Sequence, residues 1–467
     1  MNPIDVILAQ ESMSQTPPRA TYKPVRRLRM ELQMAATPLS TTADNTALTP
    51  LPAGDRLFGW SDHAALWLSL GVGLLVIQIG SYLVPALGAK EALTVIVFGS
   101  VFGAGLLAWT AKMGCDTGLS SAGLMHATYG SSFARLPVLL NIVQLIGWTT
   151  FELVVMRDGT VAIARQSGSF TDAWWPLLTT LLWGALLLAL LSGSMVKLVR
   201  KFIGRYGLPL VIASLLWLSW QFLSKASAQG LTAVWNRAGD GSMSTLSALD
   251  LVIAMPASWL PLVADFARHG RDGNSAFRGT WLGYTVANIW CYALGVLVAL
   301  TTPSTDMVAA LLLAQGGLIA LGLILIDEVD NAYGDLYSGS VAGHSLKPVW
   351  TVRRWGMVLA VLSTALALVL PMHSLEPFLL ILSSIFVPLY GVILARLAGH
   401  SDVVSLVTER RVNYSAVVIW LLGVTCYHLC AQLAPNWGAT LPTLALTFVL
   451  ARVSRGLSNR SDVSAAA

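Results

Sequence analysis

Polar and aromatic side chains interrupt one long apolar stretch at a regular interval. Gln144, Trp148 and Glu152 follow one another at four-residue spacing, so on a helix they project from a single face. A carboxyl group in hydrocarbon costs several kcal/mol unless it faces a cavity or a partner. This face therefore predicts a binding site for a small polar molecule, with a purely structural hydrogen bond as the alternative.

A second stretch combines an aromatic residue with two helix breakers. Trp259 lies between Pro256 and Pro261, and each proline removes one helical hydrogen-bond donor. The pattern predicts a helix that is broken near Trp259, with the indole at the break. Farther along, Asp265 and Arg268 are three residues apart, which favours a structural ion pair at the end of this helix.

A third stretch ends in acidic residues, because Asp327, Asp330 and Asn331 follow a long apolar run. Helical spacing puts Asp327 and Asn331 on one face, whereas Glu328 and Asp335 lie at other angles. The cluster is either the solvated end of a helix or, if the helix continues beyond it, a set of acidic groups inside the membrane.

The stretch 64–86 carries a single amide, Gln78, and no charged side chain over 23 residues. Gly71, Gly73 and Gly80 interrupt it, so we expect a helix that bends and leaves some backbone carbonyls without helical partners. Free carbonyls at mid-membrane can bind cations.

The chain as a whole is apolar enough to lie almost entirely in a membrane. Its 467 residues are 55% hydrophobic and 11% charged, with a mean hydropathy of +0.66, which excludes an ordinary soluble globular domain. We expect an all-α polytopic membrane protein in which each apolar run is one transmembrane helix. The twelve runs, numbered here as spans 1 to 12, are 64–86, 92–111, 137–156, 174–191, 203–223, 248–264, 281–302, 307–326, 355–371, 375–395, 414–431 and 435–451.

Positive charges predict the orientation of the chain, because loops rich in Lys and Arg stay on the cytoplasmic side. With the amino terminus inside, 24 of the 29 Lys and Arg residues fall on the inner side. Both termini are therefore expected in the cytoplasm of a cell whose inner, or plasma, membrane holds the protein. The basic sequence pI of about 9.1 reflects this topology and indicates no nucleic-acid partner.

Four regions are expected along the chain. Residues 1–60 are rich in Pro, Ser and Thr and predict a disordered cytosolic tail, within which Met30 and Met34 could serve as later starts. Residues 61–400 form the membrane core with spans 1 to 10, 401–453 hold spans 11 and 12, and 454–467 form a second cytosolic tail. The role of spans 11 and 12 stays open.

The two interrupted spans, 1 and 6, lie five spans apart and run in opposite directions. This arrangement is typical of a LeuT-like 5+5 inverted repeat, in which two discontinuous helices meet at mid-membrane and bind substrate and cation. Spans 3 and 8, which carry the polar residues described above, are also five apart. The same repeat therefore pairs them.

The sequence resembles the nucleobase-cation symporter-1 family, which includes cytosine, hydantoin and allantoin permeases. The resemblance covers roughly residues 55–400 and is closest to the hydroxymethylpyrimidine permease branch, associated with uptake of a thiamin precursor. It is carried by the segments DRLFGW, SLGVGLLVIQIGSYLVP, QLIGWTTFE, ASWLPLVADFAR and DEVDNAYGDLYS.

The resemblance implies a flat heterocycle held between two tryptophans, which match Trp148 and Trp259. An amide of span 1 contacts the substrate in the family, and Gln78 stands at the matching place; Asn331 completes the predicted substrate set. Glu152 stands where the family usually has glutamine. Because an ionised carboxylate accepts but cannot donate hydrogen bonds, this departure favours a donor-rich ligand such as an aminopyrimidine.

Sodium-coupled relatives bind their cation at span-1 backbone carbonyls, which match Leu74 and Ile77, and at groups of span 8. Here span 8 offers Asp327 and Asp330 in place of hydroxyls. These carboxylates could ligate Na⁺ or could carry a proton. We expect Na⁺ as the coupling ion, with H⁺ as the alternative.

The predicted function is secondary active import of a planar pyrimidine-like heterocycle, such as hydroxymethylpyrimidine or a cytosine-like nucleobase, by cation symport and alternating access. An amino-acid or amine symporter of the same fold is the alternative, and a membrane enzyme a weaker one. The seven histidines are scattered and the four cysteines suggest no disulfide framework. We therefore expect no cofactor and no metal beyond Na⁺, and the oligomeric state stays open.

Overall fold

The structure is a computed structural model that describes part of the chain and is helical throughout that part. The described residues are 47–168, 173–191, 208–303, 307–370, 372, 374–400 and 402–466, with the side chains after 456 left aside. Most of the predicted tail and the first residues of predicted span 5 lie outside this description.

Fifteen helices of eight or more residues organise the described part of the chain. They are α1 (Trp60–Ser69), α2 (Leu74–Tyr82), α3 (Ala89–Thr117), α4 (Ser121–Tyr129), α5 (Arg135–Gln166), α6 (Trp175–Leu191), α7 (Leu208–Ala228), α8 (Thr245–Ser258), α9 (Leu260–Ala267), α10 (Gly273–Thr301), α11 (Gly317–Leu346), α12 (Val352–Val369), α13 (Leu375–Leu397), α14 (Tyr414–Leu433) and α15 (Thr440–Ala466). Shorter helical segments are Ala53–Asp55, Leu231–Trp235, Met307–Leu312, Leu406–Glu409 and Pro435–Trp437.

These helices account for the twelve predicted spans. Among the described residues, eight spans are long and apolar enough to cross a membrane, with α8 and α9 counted as one, and the bent pair α1–α2 adds a ninth. The other three are α6, which has 17 apolar residues, α11, whose acidic residues lie inside the helix, and α15. The expected all-α polytopic fold is confirmed.

Span 1 is broken where its glycines predict. Helix α1 ends at Ser69, α2 begins at Leu74, and the two axes differ by 64°. A Cβ on Gly71 would lie 2.8 Å from the Cβ of Ala287 in α10, which is too close for van der Waals contact. Glycine therefore lets the break pack directly on span 7.

Span 6 is interrupted more gently, at the single residue Trp259 between α8 and α9. Pro256 lies in the last turn of α8 and Pro261 in the first turn of α9. The two prolines thus bracket the interruption, as their missing donors predict. Both segments together still form one apolar span of 23 residues.

Helix packing shows the relation between the two halves of the repeat. Span 7 (α10) packs on both segments of span 1, and span 2 (α3) packs on both segments of span 6. Spans 2 and 7 also pack on each other, as do spans 3 (α5) and 8 (α11). Each contact has a counterpart five spans along the chain, which is the pattern of the predicted inverted repeat.

Span 8 does not begin where the sequence suggests. The predicted run starts at Met307, but Met307–Leu312 is a separate short helix, and Gly316, with a φ of 69°, comes directly before α11. This left-handed conformation suits glycine and ends the first segment. With 30 residues, α11 is about 45 Å long at 1.5 Å per residue. The acidic residues consequently lie near the middle of a helix and not at its solvated end.

The folded body also includes residues 47–59, which the sequence assigns to the tail. Leu51 is buried, and its N–H donates to the Gly118 carbonyl over 2.9 Å. The Arg56 side chain donates to the carbonyls of Leu51 and Cys115, at 2.9 and 3.1 Å. At the other end, α14 and α15 pack on α13, so spans 11 and 12 lie against span 10.

Candidate functional site

A small central cavity lies where the interruptions of spans 1 and 6 meet spans 3 and 8. Its volume is about 20 Å³, roughly the space that one water molecule occupies. Four of the five residues predicted for the substrate line it, namely Trp148, Glu152, Trp259 and Asn331. The remaining lining residues are Leu70, Gly73, Leu75, Val76, Met255, Ser258, Leu262, Glu328 and Asp335.

Other aromatic rings hold the two indoles of the cavity in place. Trp148 is buried and meets Phe378 of α13 edge to face, with centroids 5.2 Å apart. Trp259 is half-buried and meets Trp67 of α1 at 5.7 Å and an interplanar angle of 89°. Such T-shaped contacts are favourable geometries for aromatic pairs. Each indole is therefore positioned by a helix other than its own.

One face of α11 closes the break in span 1. Glu328 accepts a hydrogen bond from the Leu74 N–H, which belongs to the first residue of α2 and has no partner within its own helix. Asn331 donates to the Val72 carbonyl at 3.2 Å and to Glu328 at 3.4 Å. The carboxylate also lies at the positive end of the α2 dipole, so span 8 caps span 1.

The acidic residues of α11 that line the central cavity are not the ones that the sequence predicts. Glu328, Asn331 and Asp335, at positions i, i+3 and i+7, line the central cavity together. Asp327 instead turns towards the end of α1, where one oxygen accepts from the Ser69 hydroxyl at 3.4 Å. The expectation that Glu328 and Asp335 point away from Asn331 is wrong.

Two residues at this break were not predicted from the sequence: Glu328, which lines the central cavity, and Ser69, which donates to Asp327. The signal for Glu328 was its i, i+3, i+7 spacing with Asn331 and Asp335, which is as helical as the spacing that joins Asp327 to Asn331. The second oxygen of Asp327 is buried and has no hydrogen-bond partner among the described residues.

Glu152 is the carboxyl that meets the cavity from α5. Its side chain is 5% exposed, and the nearby carboxyl of Glu328 acts on it electrostatically. Its Oε2 atom is buried and has no partner among the described residues. One turn before Trp148, Gln144 serves a different purpose, since it donates to the Ser258 carbonyl at 3.1 Å and so ties α5 to the interruption of span 6.

Gln78 does not reach the central cavity. It lines a second cavity of about 410 Å³, a volume within the range of small-molecule sites, roughly 300–1,000 Å³. Its amide donates to the Tyr82 hydroxyl at 2.5 Å, and the cavity wall also carries Asp158 and Arg165. Leu75 lines both cavities and therefore separates them.

The residues predicted for the cation are spread around the first break. Leu74 and Ile77 lie inside α2, and the Ile77 carbonyl lies against Gly295 of α10. Asp327 is buried beside Ser69, whereas Asp330 is half-buried. The described residues include no cluster of three or more His, Cys, Asp or Glu side chains that could hold a metal ion.

Asp265 and Arg268 lie at the end of α9, where the sequence predicts a structural ion pair. Asp265 accepts from the Ser121 N–H at 3.1 Å and from the Ser338 hydroxyl at 2.5 Å. Arg268 is buried, and its charge acts on this carboxylate. Asp265 thereby connects α9 to α4 and α11.

Several solved structures share this fold. The transporter Mhp1, of the nucleobase-cation-symport-1 family, in a closed conformation with bromovinylhydantoin bound, is 17% identical with a TM-score of 0.74, covering 89% of this chain and 95% of that one. The inward-facing conformation of Mhp1 is 17% identical with a TM-score of 0.73, covering 92% and 95%. A substrate-bound, outward-open Na⁺-coupled sialic acid symporter is 11% identical with a TM-score of 0.63, covering 93% and 95%.

At these identities the structural likeness concerns the fold alone. No curated protein shows significant sequence similarity to the chain. A family model described as a permease for cytosine/purines, uracil, thiamine and allantoin matches residues 50–451, which is most of the sequence. The chain therefore belongs to this family of permeases.

Proposed function

We propose that the protein imports a planar, amino-substituted pyrimidine-like heterocycle by cation symport. Membership of a permease family makes the chain a multi-pass membrane transporter and not an enzyme. The observation that carries the proposal is that Trp148 and Trp259, from spans 3 and 6, line one cavity together with Glu152. An aromatic site with a carboxyl at its edge suits a flat ring that bears hydrogen-bond donors.

The energetics favour such a ring over an aliphatic ligand. Stacking on an indole contributes about 1 kcal/mol per face beyond plain burial. The carboxyl of Glu152 accepts hydrogen bonds and so selects amino groups over ring carbonyls. Hydroxymethylpyrimidine and cytosine both carry such an amino group. The family description, which names thiamine and cytosine, and the bromovinylhydantoin bound by Mhp1 support this class of ligand.

The two cavities suggest a route for the ligand. With the amino terminus inside, the 410 Å³ cavity opens towards the outer half of the protein, and Gln78 is a first polar contact on the way in. Leu75 then stands between that cavity and the central one. Movement of spans 1, 2, 6 and 7 against the others would displace it, widen the central cavity from its volume of about 20 Å³ so that it admits the ring, and give alternating access. In this orientation both termini lie in the cytoplasm and the protein is in the inner, or plasma, membrane.

We further propose Na⁺ as the coupling ion, with H⁺ as the alternative. Asp327 supports this assignment, because its unpartnered oxygen lies in a buried position next to Ser69, at the end of α1. Carboxylate, hydroxyl and backbone carbonyl oxygens beside a helix break suit a small hard cation.

Uptake into liposomes tests the proposal. Purified protein is reconstituted and offered labelled hydroxymethylpyrimidine, cytosine or uracil under imposed Na⁺ or H⁺ gradients. We expect gradient-dependent accumulation of the amino compounds, and accumulation that is equal without a gradient would refute symport. Trp148→Ala should abolish uptake, whereas the matched control Trp220→Ala, which removes an indole that is 64% exposed on α7, should retain it. Uptake unaffected by Trp148→Ala would instead favour an amino-acid or amine symporter.

A further inference from the structure

All of the ionisable residues that line the central cavity are acidic. Glu152, Glu328 and Asp335 line it, and none of the described lining residues is Lys, Arg or His. The three side chains are at least 95% buried, with exposed fractions of 5%, 1% and 3%. Buried carboxylates without counter-charges are costly, and either bound protons or a cationic partner relieves that cost.

Glu152 is the carboxyl available to a ligand. Glu328 is committed to the Leu74 N–H and to Asn331. Glu152 Oε2, in contrast, is buried and has no hydrogen-bond partner among the described residues. The charged groups that act on Glu152 are Glu328, Asp335 and Asp327, all on α11 and all acidic. A cation beside Glu152 would therefore be attracted by the whole set.

We propose that the central site binds its ligand as an organic cation, an aminoheterocycle protonated on the ring nitrogen next to its amino group. This inference rests on the proposed import of an aminoheterocycle and specifies the charge of that ligand. The protonated edge is an amidinium, which presents two parallel N–H groups, as arginine does. Carboxylates bind such forks through two charge-assisted hydrogen bonds, and Glu152 supplies the carboxylate.

The aromatic walls favour the same charge. A cation within about 6 Å of an indole face is attracted by the ring quadrupole, most strongly when both are removed from water. Trp148 and Trp259 line the cavity that Glu152 enters. A neutral oxo-pyrimidine such as uracil offers no charge and no pair of adjacent N–H groups, so it can give Glu152 only single, neutral hydrogen bonds. Charge therefore separates the two ligand classes more strongly than shape does.

Binding to the purified full-length protein tests the inference through quenching of tryptophan fluorescence. The probes are 2-aminopyridine, whose single ring nitrogen lies next to its amino group, benzamidine, which keeps its amidinium charge throughout, and uracil, each titrated between neutral and mildly acidic pH. We expect 2-aminopyridine to bind more tightly as the pH falls towards its own pKa, because the protonated fraction grows. Benzamidine should lack this rise, and uracil should bind weakly at every pH.

Two variants test whether Glu152 is the residue that binds the cation. Glu152→Gln should weaken binding of benzamidine about tenfold or more, the scale of a lost charge-assisted hydrogen bond, and should leave uracil binding unchanged or improved. The matched control Glu409→Gln removes an exposed carboxylate and should change neither. Melting curves of both variants verify that they are folded.

The outcomes separate this inference from the proposed function. If uracil binds as tightly as the cations, or if Glu152→Gln weakens all three probes equally, the ligand is not recognised as a cation, although heterocycle transport stands. If NaCl displaces benzamidine and the same concentration of choline chloride does not, the site holds Na⁺ and the inference is wrong. If no heterocycle binds and none is taken up, the proposed function itself fails.

Discussion

Replacing Glu328 by alanine should destabilise the protein through the break in span 1. The carboxylate is the hydrogen-bond partner of the Leu74 N–H, at the start of α2, and its side chain is 1% exposed. Without it, this buried donor loses its acceptor among the described residues. Leaving one such group unsatisfied costs about 1–3 kcal/mol, and truncating a buried side chain adds a cavity term.

Glu328→Gln separates these contributions. Glutamine keeps the size of the side chain and one oxygen that can accept from Leu74, so we expect a smaller loss of stability than with alanine. Thermal unfolding in detergent, followed by the fluorescence of the 17 tryptophans, measures both variants. Glu409→Ala provides an exposed acidic control.

We expect wild type and Glu409→Ala to have the highest melting temperatures, Glu328→Gln a lower one and Glu328→Ala the lowest. If Glu328→Ala unfolds at the same temperature as Glu328→Gln, the acceptor is not what stabilises the start of α2. If the melting temperature of Glu409→Ala falls as far as that of Glu328→Ala, the effect is a general one of lost charge, and Glu328 does not stabilise the start of α2 by capping it.

Three further changes test the packing, the route and the loop electrostatics. Gly295→Ala would place a Cβ 1.9 Å from the Ile77 carbonyl oxygen of α2, so thermal unfolding should show the protein destabilised by about 1–3 kcal/mol. A Cβ on Gly105 would have no atom within 4 Å, so the control Gly105→Ala should be neutral or stabilising. Leu75→Ala should join the two cavities and raise passive leakage of solute from liposomes; unchanged leakage would deny Leu75 this separating role. Hydrogen bonds from Ser275 lower the pKa of Asp272 at the start of α10, so the small stability that they contribute is present at neutral pH and is lost as pH falls through the lowered pKa. Melting temperatures of Asp272→Asn should lack that component of the pH dependence.

The interruptions of spans 1 and 6 could be predicted because glycine and proline act locally. The missing donor of Pro261 depends on its own backbone and hardly on the rest of the fold, and a stretch that holds Gly71 and Gly73 is a weak helix former wherever it lies. The convergence of Trp148 and Trp259 on one site was implied by the family resemblance and not by the repeat, which pairs span 1 with span 6 and span 3 with span 8. These features need no knowledge of side-chain packing, and the structure shows all of them.

The rotation of each helix could not be predicted in the same way. A helix with polar residues at 327, 328, 330, 331 and 335 is compatible with several facing directions, and the break in span 1 selects the one that brings Glu328 to the Leu74 N–H. The 64° bend between α1 and α2 likewise resets the helical phase, so Gln78 faces the larger cavity. Tertiary contacts decided both orientations.

The contact between Glu152 and Glu328 links the ligand site to the hinge. Glu328 caps the start of α2, and Glu152 is the group that we propose for the ligand. A cation bound at Glu152 would also attract the carboxyl of Glu328, and this attraction competes with the hydrogen bond that Glu328 accepts from the Leu74 N–H. On this proposal, the span-1 break responds to the charge of the ligand, and a neutral ring of the same shape would fill the site without acting on the hinge.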